Sequence, residues 1–395
     1  MRRVQLRFGR HVHPVYRDQL AAVPEGWEYA YTHPDLYDEA APTKKIQVDT
    51  GPFAKVEPHA ERLALLALSN LGYVHQVRAR PMRGVSLIHA AERLIVRAPV
   101  PYVVDVEHAD LFVLYQQAAW DRPWARQIVE RALLDDRLKY VLGWSDMARR
   151  SVLAVVSDDV GRRIAPKLKV VYPAVRLAVD RPRERRPGPL QALFVGTKFP
   201  EKGGVPALLA LREVRRTHDV ELDMVTFAPL ERRAELEAEP GLRLHAPGSA
   251  DFIRRLYSES DVLLFPSHMD TYGVVVGEAM SYGLPVVAPR HLALTETIRD
   301  EESGLLFPPE NMLWNDDTRC RFRHTLPVPD SYLEALQHPS DGFVSGIADA
   351  LARLAEDAGL HARLAEGAFE SVRSGHLSIP HRRAQLQELY DDAAR

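Results

Sequence analysis

The sequence predicts an α/β protein of two doubly wound, Rossmann-like domains, and three observations carry that reading. Its 395 residues exceed what one hydrophobic core usually serves. Short apolar runs alternate with helically periodic stretches in both halves, the rhythm of parallel strands covered by helices on both faces. The charged, proline-rich break Arg181-Pro182-Arg183-Glu184-Arg185-Arg186-Pro187-Gly188-Pro189 excludes a helix or central strand and falls near the middle of the chain. Residues 1–180 are the expected first domain and 190–375 the second, with 376–395 a last helix returning to the first. The linker 181–189 is expected to act as a hinge.

In the first half the candidate strands are Val4–Phe8, Val85–His89, Tyr102–Val106, Tyr140–Gly143 and Lys169–Tyr172. The second half opens with the apolar run Leu190–Val195, ends it at Gly196, and continues as a helix over Val205–Val214. That unit recurs as strand Leu222–Phe227 with helix Leu230–Glu239, then helix Phe252–Ser258 with strand Asp261–Phe265. A helix over Val274–Ser281 and a strand over Pro285–Ala288 follow. Between Pro308 and Asp341 the periodicity fails, which reads as a long loop or insertion, and helices resume at Gly342–Glu356 and Ile379–Arg395.

Composition narrows the function classes. No stretch approaches the roughly 18 apolar residues of a spanning helix, and the start Met1-Arg2-Arg3-Val4 lacks a signal peptide's apolar run, so a soluble, cytoplasmic protein is expected. The single cysteine, Cys320, excludes an internal disulfide or a cysteine-based zinc site. A net charge of −3 argues against a nucleic-acid partner. Basic residues nevertheless outnumber acidic ones between Arg149 and Arg186; a solvated face plus linker is preferred there over a peripheral membrane or anionic-substrate patch.

Ligands of open α/β sheets bind beyond the carboxyl ends of strands, which selects two loops. In Val195-Gly196-Thr197-Lys198-Phe199-Pro200-Glu201-Lys202-Gly203-Gly204, glycine permits close backbone approach, and Lys198 and Lys202 could neutralise a diphosphate. Any βα turn can carry glycine and lysine, so this loop alone decides little. In Phe265–Met280 a strand ends, a polar turn carries Asp270, and a helix starts near Val274 whose free N–H groups form an anion site. Glu278 lies four residues on, about 6 Å along the axis, where a carboxylate could accept ribose hydroxyls. A solvent-facing role for Glu278 is disfavoured by Val274, Val275, Val276, Ala279 and Met280, which make the helix mostly apolar.

Pro266–Glu278 resembles the paired-acidic signature of family four of the glycosyltransferases, two carboxylates with seven residues between them. Ala279–Ala288, Gly196 with Lys202-Gly203, Glu296-Thr297-Ile298 and Ser303–Phe307 also resemble that family, in its order, over most of residues 190–310. The resemblance implies the GT-B fold, two domains facing each other across a cleft, and retaining sugar transfer from a nucleoside-diphosphate donor without a metal or other cofactor. It implies that Gly196 and the Val274 and Val275 amides bind the diphosphate with Lys202, that Lys198 stands in for an arginine usual at position 197, and that Glu278 holds the ribose. Asp270, with the Thr271, Tyr272 and Gly273 backbone, would contact the transferred sugar. His108, after the candidate strand ending in Val104-Asp105-Val106-Glu107, resembles the family histidine that contacts that sugar. Glu107 is the acceptor-side candidate, together with Arg10 and His13 in Phe8-Gly9-Arg10-His11-Val12-His13, which replaces the family's glycine-glycine loop.

Other classes lack their signatures. No Gly-x-Gly-x-x-Gly marks a nicotinamide enzyme, no Gly-Lys-Ser/Thr marks a P-loop, and no Asp-x-Asp marks metal-dependent GT-A transfer. A GT-B epimerase or disaccharide phosphorylase would use the same donor pocket. A non-catalytic nucleotide-sugar-binding protein is disfavoured by both carboxylates.

Overall fold

The computed structural model describes residues 1–8, 15–31, 73–310 and 329–395. The chain forms two compact units. Of the described residues, 1–174 and 379–395 belong to the first, and 175–310 and 329–378 to the second.

The first unit contains strands β1 (Arg2–Arg7), β2 (Trp27–Ala30), β3 (Gln76–Val77), β4 (Val85–Ala91), β5 (Leu94–Ile95), β6 (Tyr102–Val106), β7 (Leu138–Gly143) and β8 (Leu168–Val170). Six of them pair, all parallel, in the order β2-β1-β4-β6-β7-β8, while β3 and β5 form a small separate pair. Every residue of β6, Tyr-Val-Val-Asp-Val, is buried, as a central parallel strand covered on both faces requires. Asp105 is the exception to its apolar character and is compensated. His89 Nε2 lies 3.0 Å from one Asp105 oxygen, and the Arg382 guanidinium 3.4 Å from the other. Burial alone would raise the Asp105 pKa, but the charges of His89 and Arg382 outweigh it and hold the carboxyl below its ordinary value. Arg382 comes from the last helix, Ile379–Ala393, and also donates to the Val171 and Tyr172 carbonyls at 2.9 Å each and to Gln19 at 2.6 Å. Tyr390 of the same helix hydrogen-bonds His89 and packs with Trp27, Leu87, Val103 and Leu142.

The second unit is a parallel sheet of β9 (Leu190–Lys198), β10 (Val220–Phe227), β11 (Leu242–His245), β12 (Val262–Leu264), β13 (Val286–Pro289) and β14 (Gly304–Phe307), in the order β11-β10-β9-β12-β13-β14. Chain direction across the sheet reverses between β9 and β12, which makes their carboxyl ends the switch point. Helix Gly204–Val214 packs against β10 and helix Asp341–Glu356 against β13 and β14, and the two helices also pack on each other, burying Leu208, Leu211, Ile347 and Leu351 in one core.

Strands β2, β3, β5, β11 and β14 and helices Pro123–Leu134, Asp146–Val155 and Ala358–Arg373 are among the elements that add to those expected from sequence. Within the stretch expected to be a loop, Asp330–Ala335 is a helix; residues 311–328 of it, with Cys320, lie outside the described residues. The hinge expectation needs correction. The units divide at Ala174 and Val175, and Arg181–Pro189 belongs to the second. Arg183 pairs with the buried Asp261 and donates to Ser260 O at 3.1 Å, and Arg185 donates to Ala355 O at 3.0 Å. Side chains able to reach those groups pin the segment, despite its proline content.

Candidate active site

At the switch point the two loops selected from sequence meet. The loop after β9 folds back so that Lys202 packs its aliphatic stem over Gly196. Gly203 holds φ at 82°, and a Cβ there would stand 2.0 Å from the Pro266 carbonyl oxygen, so only glycine lets this loop approach the end of β12. The contact is secured by His268 N–H donating to Glu201 O at 3.0 Å. As a result the Lys202 ammonium lies 2.6 Å from Asp270 Oδ1 and 3.4 Å from Met269 O. Ser267 donates to the other Asp270 oxygen. Lys198, more than half exposed, sits 3.9 Å from Glu201.

Helix Val274–Ser281 begins at Gly273, whose φ of 79° turns the chain sharply out of the Asp270–Tyr272 segment. No side chain caps the helix start. Glu278 is half-buried and accepts a hydrogen bond from Tyr257 at 3.1 Å. Burial and then the Glu278 charge push the Tyr257 hydroxyl well above its usual range, so it remains a donor. Tyr257 stacks on Tyr282 with ring centroids 5.4 Å apart. Nothing in the sequence signals the Tyr257–Glu278 pair, because its members lie on separate helices. His268 was also missed. It is buried against Phe343, and burial followed by the charge of His291 lowers its pKa to about 4, keeping it neutral.

In the first unit, His108 caps the short helix Ala109–Val113 and is nearly fully buried. Its Nδ1 accepts the Asp110 N–H at 3.1 Å, which places the ring proton of the neutral form on Nε2. The 3.4 Å approach of Nδ1 to the Asp110 carboxylate is therefore not an ion pair. Asp110 is occupied by Trp120 at 2.6 Å and by Gln117. Glu107 follows β6, and Glu92 follows the neighbouring β4 with φ 59° and its N–H on Asp105 O at 3.0 Å. Burial, then the charges of Glu107 and Asp105, push Glu92 up to about 8. No sequence motif marks Glu92. Arg10 and His13 lie outside the described residues. Among the described residues no group of three or more His, Cys, Asp or Glu is placed to hold a metal ion, and no helix is long and apolar enough to cross a membrane.

Two parallel-sheet α/β units, the second with a glycine–lysine loop and a spaced carboxylate pair at its switch point, have the architecture of the GT-B fold. Residues 189–314 match the family model described as "Glycosyl transferases group 1", so the second unit carries a domain of that family and the resemblance read in the sequence holds. The chain is 33% identical over 164 residues to a D-inositol 3-phosphate glycosyltransferase of Acidothermus cellulolyticus, covering 35% of this chain and 37% of the relative. It is 28% identical over 299 residues to the protein of that name from a Nocardioides species, covering 68% and 56%. The chain thus spans about half the length of such relatives, or less. Among solved structures, sucrose-phosphate synthase of Thermosynechococcus elongatus superposes with a TM-score of 0.63 at 16% identity over 99% of each chain. Anabaena HepE, solved in complex with UDP and glucose, gives 0.60 at 13% over 99% and 100%. At such identities the likeness concerns the fold alone.

Proposed function

We propose that this chain transfers a sugar from a nucleoside-diphosphate sugar to an acceptor hydroxyl, retaining anomeric configuration and needing no divalent cation. The observation that supports this best is the convergence of Gly196, the Lys202–Asp270 pair, the Val274 helix start and Glu278 at one switch point. The Val274 and Val275 amides, Lys198 and Lys202 stabilise the charge that grows on the leaving diphosphate, the contribution that matters most as charge develops in a transition state. Asp270 and the Thr271–Gly273 backbone orient the sugar, and Glu278 holds the ribose. The acceptor oxygen attacks the anomeric carbon from the face the diphosphate leaves, and a leaving phosphate oxygen takes the acceptor's proton. Glu107 remains the acceptor-side candidate. The names of the relatives and the UDP complex of HepE make UDP-sugars the first donors to try.

The test is a nucleotide-sugar panel, with NMR of the first-formed product in the presence and absence of EDTA. The expected result is a retained anomer at an undiminished rate with the chelator. An inverted anomer, or activity abolished by EDTA, sinks this mechanism; saturable donor binding without turnover points to a binding protein.

A further inference from the structure

The second unit carries an aromatic side chain that stands outside its own core. Phe227, the last residue of β10, is 64% exposed, unlike the buried Phe194, Phe199, Phe265 and Phe307 of the same unit. Folding gains little from such a ring, since most of its apolar area stays in water. Its position is specific. Phe227 pairs in register with Lys198 across a shift in the β9–β10 ladder, so ring and ammonium leave neighbouring strands at the same carboxyl edge. Lys198 ends β9, the strand that carries Gly196, and leads into the loop that carries Lys202. Phe227 is thus one strand away from the switch point, on the side of β10 and β11.

The same side is indicated by Glu278. Tyr257, which holds the Glu278 carboxylate, is on helix Ala250–Glu259, the helix that follows β11 and packs on β9. A ligand with its diphosphate at the Val274 helix start and its ribose on Glu278 therefore extends toward the ends of β9, β10 and β11, away from β13 and β14. What lies past the ribose of a nucleotide is a flat, polarisable base.

We propose that Phe227 is the stacking platform for the nucleobase of the donor, with Lys198 beside it over the diphosphate. This rests on the donor reading above. Stacking on a phenyl face tolerates any base, so Phe227 supplies affinity, and discrimination among bases falls to groups around their edges.

Calorimetric titration of the full chain with UDP, GDP, ADP and inorganic pyrophosphate, for the parent, Phe227→Ala and Phe227→Trp, is the test. Phe227→Ala should weaken whichever nucleoside diphosphate the parent binds by about 5- to 100-fold and leave pyrophosphate within about twofold, whereas Phe227→Trp keeps the affinity. In Phe227→Trp the new indole, beside a bound base, should show quenched emission. Equal nucleotide affinity in the parent and Phe227→Ala overturns the platform while leaving the donor site standing. A parent that binds no nucleoside diphosphate overturns both.

Discussion

Lys202 and Asp270, 68 positions apart, form a direct ion pair of 2.6 Å at the junction of the loops that follow β9 and β12. In the proposed donor site Lys202 serves the diphosphate and Asp270 the sugar, so the pair would span the two sides of the bond that breaks. Asp270→Asn removes the competitor for the Lys202 ammonium. Nucleoside-diphosphate affinity should then be held or raised, while kcat falls on the order of 100-fold through lost sugar positioning. Steady-state kinetics beside calorimetry reads both, and parallel losses in kcat and affinity would refute the division of roles.

Lys202→Ala has the opposite signature. It should weaken nucleoside diphosphates but leave nucleosides within about twofold, because a point charge acts on the phosphates. Competition binding of uridine and UDP distinguishes the two.

Tyr257→Phe deletes the hydrogen bond that orients Glu278 and keeps the stacked ring. Donor affinity should drop by about 1 kcal/mol, against about 1–3 kcal/mol for Glu278→Ala, as expected for a positioning residue and for the carboxylate it positions. In the double variant the Tyr257 effect should vanish, since its target is gone.

Arg382→Ala strips the buried Asp105 of its guanidinium neighbour and should cost about 3–5 kcal/mol of stability in urea denaturation. The chain should lose cooperativity first in the unit that contains β6. An unchanged denaturation midpoint would contradict the compensating role of the guanidinium.

How much of this was legible beforehand depended on period and chemistry. Helix Val274–Ser281 and strand Tyr102–Val106 match their expected bounds, because each is a mostly apolar stretch, interrupted by a single acidic residue, Glu278 and Asp105 respectively. Strand β11 has only four residues with two polar side chains, too few for a period to register, and it takes its structure from pairing with β10. The acidic pair was readable from spacing, but the Lys202–Asp270 contact depends on Gly203 admitting the Pro266 carbonyl, a long-range fit without a local signal. The linker misled for a related reason. Proline and arginine composition describes a chain in isolation, whereas Arg183 is held by Asp261 from a distant strand start.

Acid should loosen the second unit through His268. Its folded pKa, about 4, lies below the unfolded value near 6.5, so the unfolded chain takes up the proton first as pH falls. The stability that the neutral ring permits is fully present above pH 6.5 and is lost progressively as pH falls toward 4. Between pH 7.5 and 5 the loss from this group is about 2 kcal/mol. Urea midpoints measured at both values should converge in His268→Phe, which keeps the ring against Phe343.

The last helix also orders events during synthesis. Arg382 and Tyr390 complete a unit whose strands lie before residue 175, so the ribosome must deliver the whole second unit before the first can close around Asp105 and His89. Vectorial folding of this chain therefore runs backwards in space. The later-made unit can finish while the earlier one still exposes an unsealed sheet, and that nascent sheet is the surface a chaperone would have to shield.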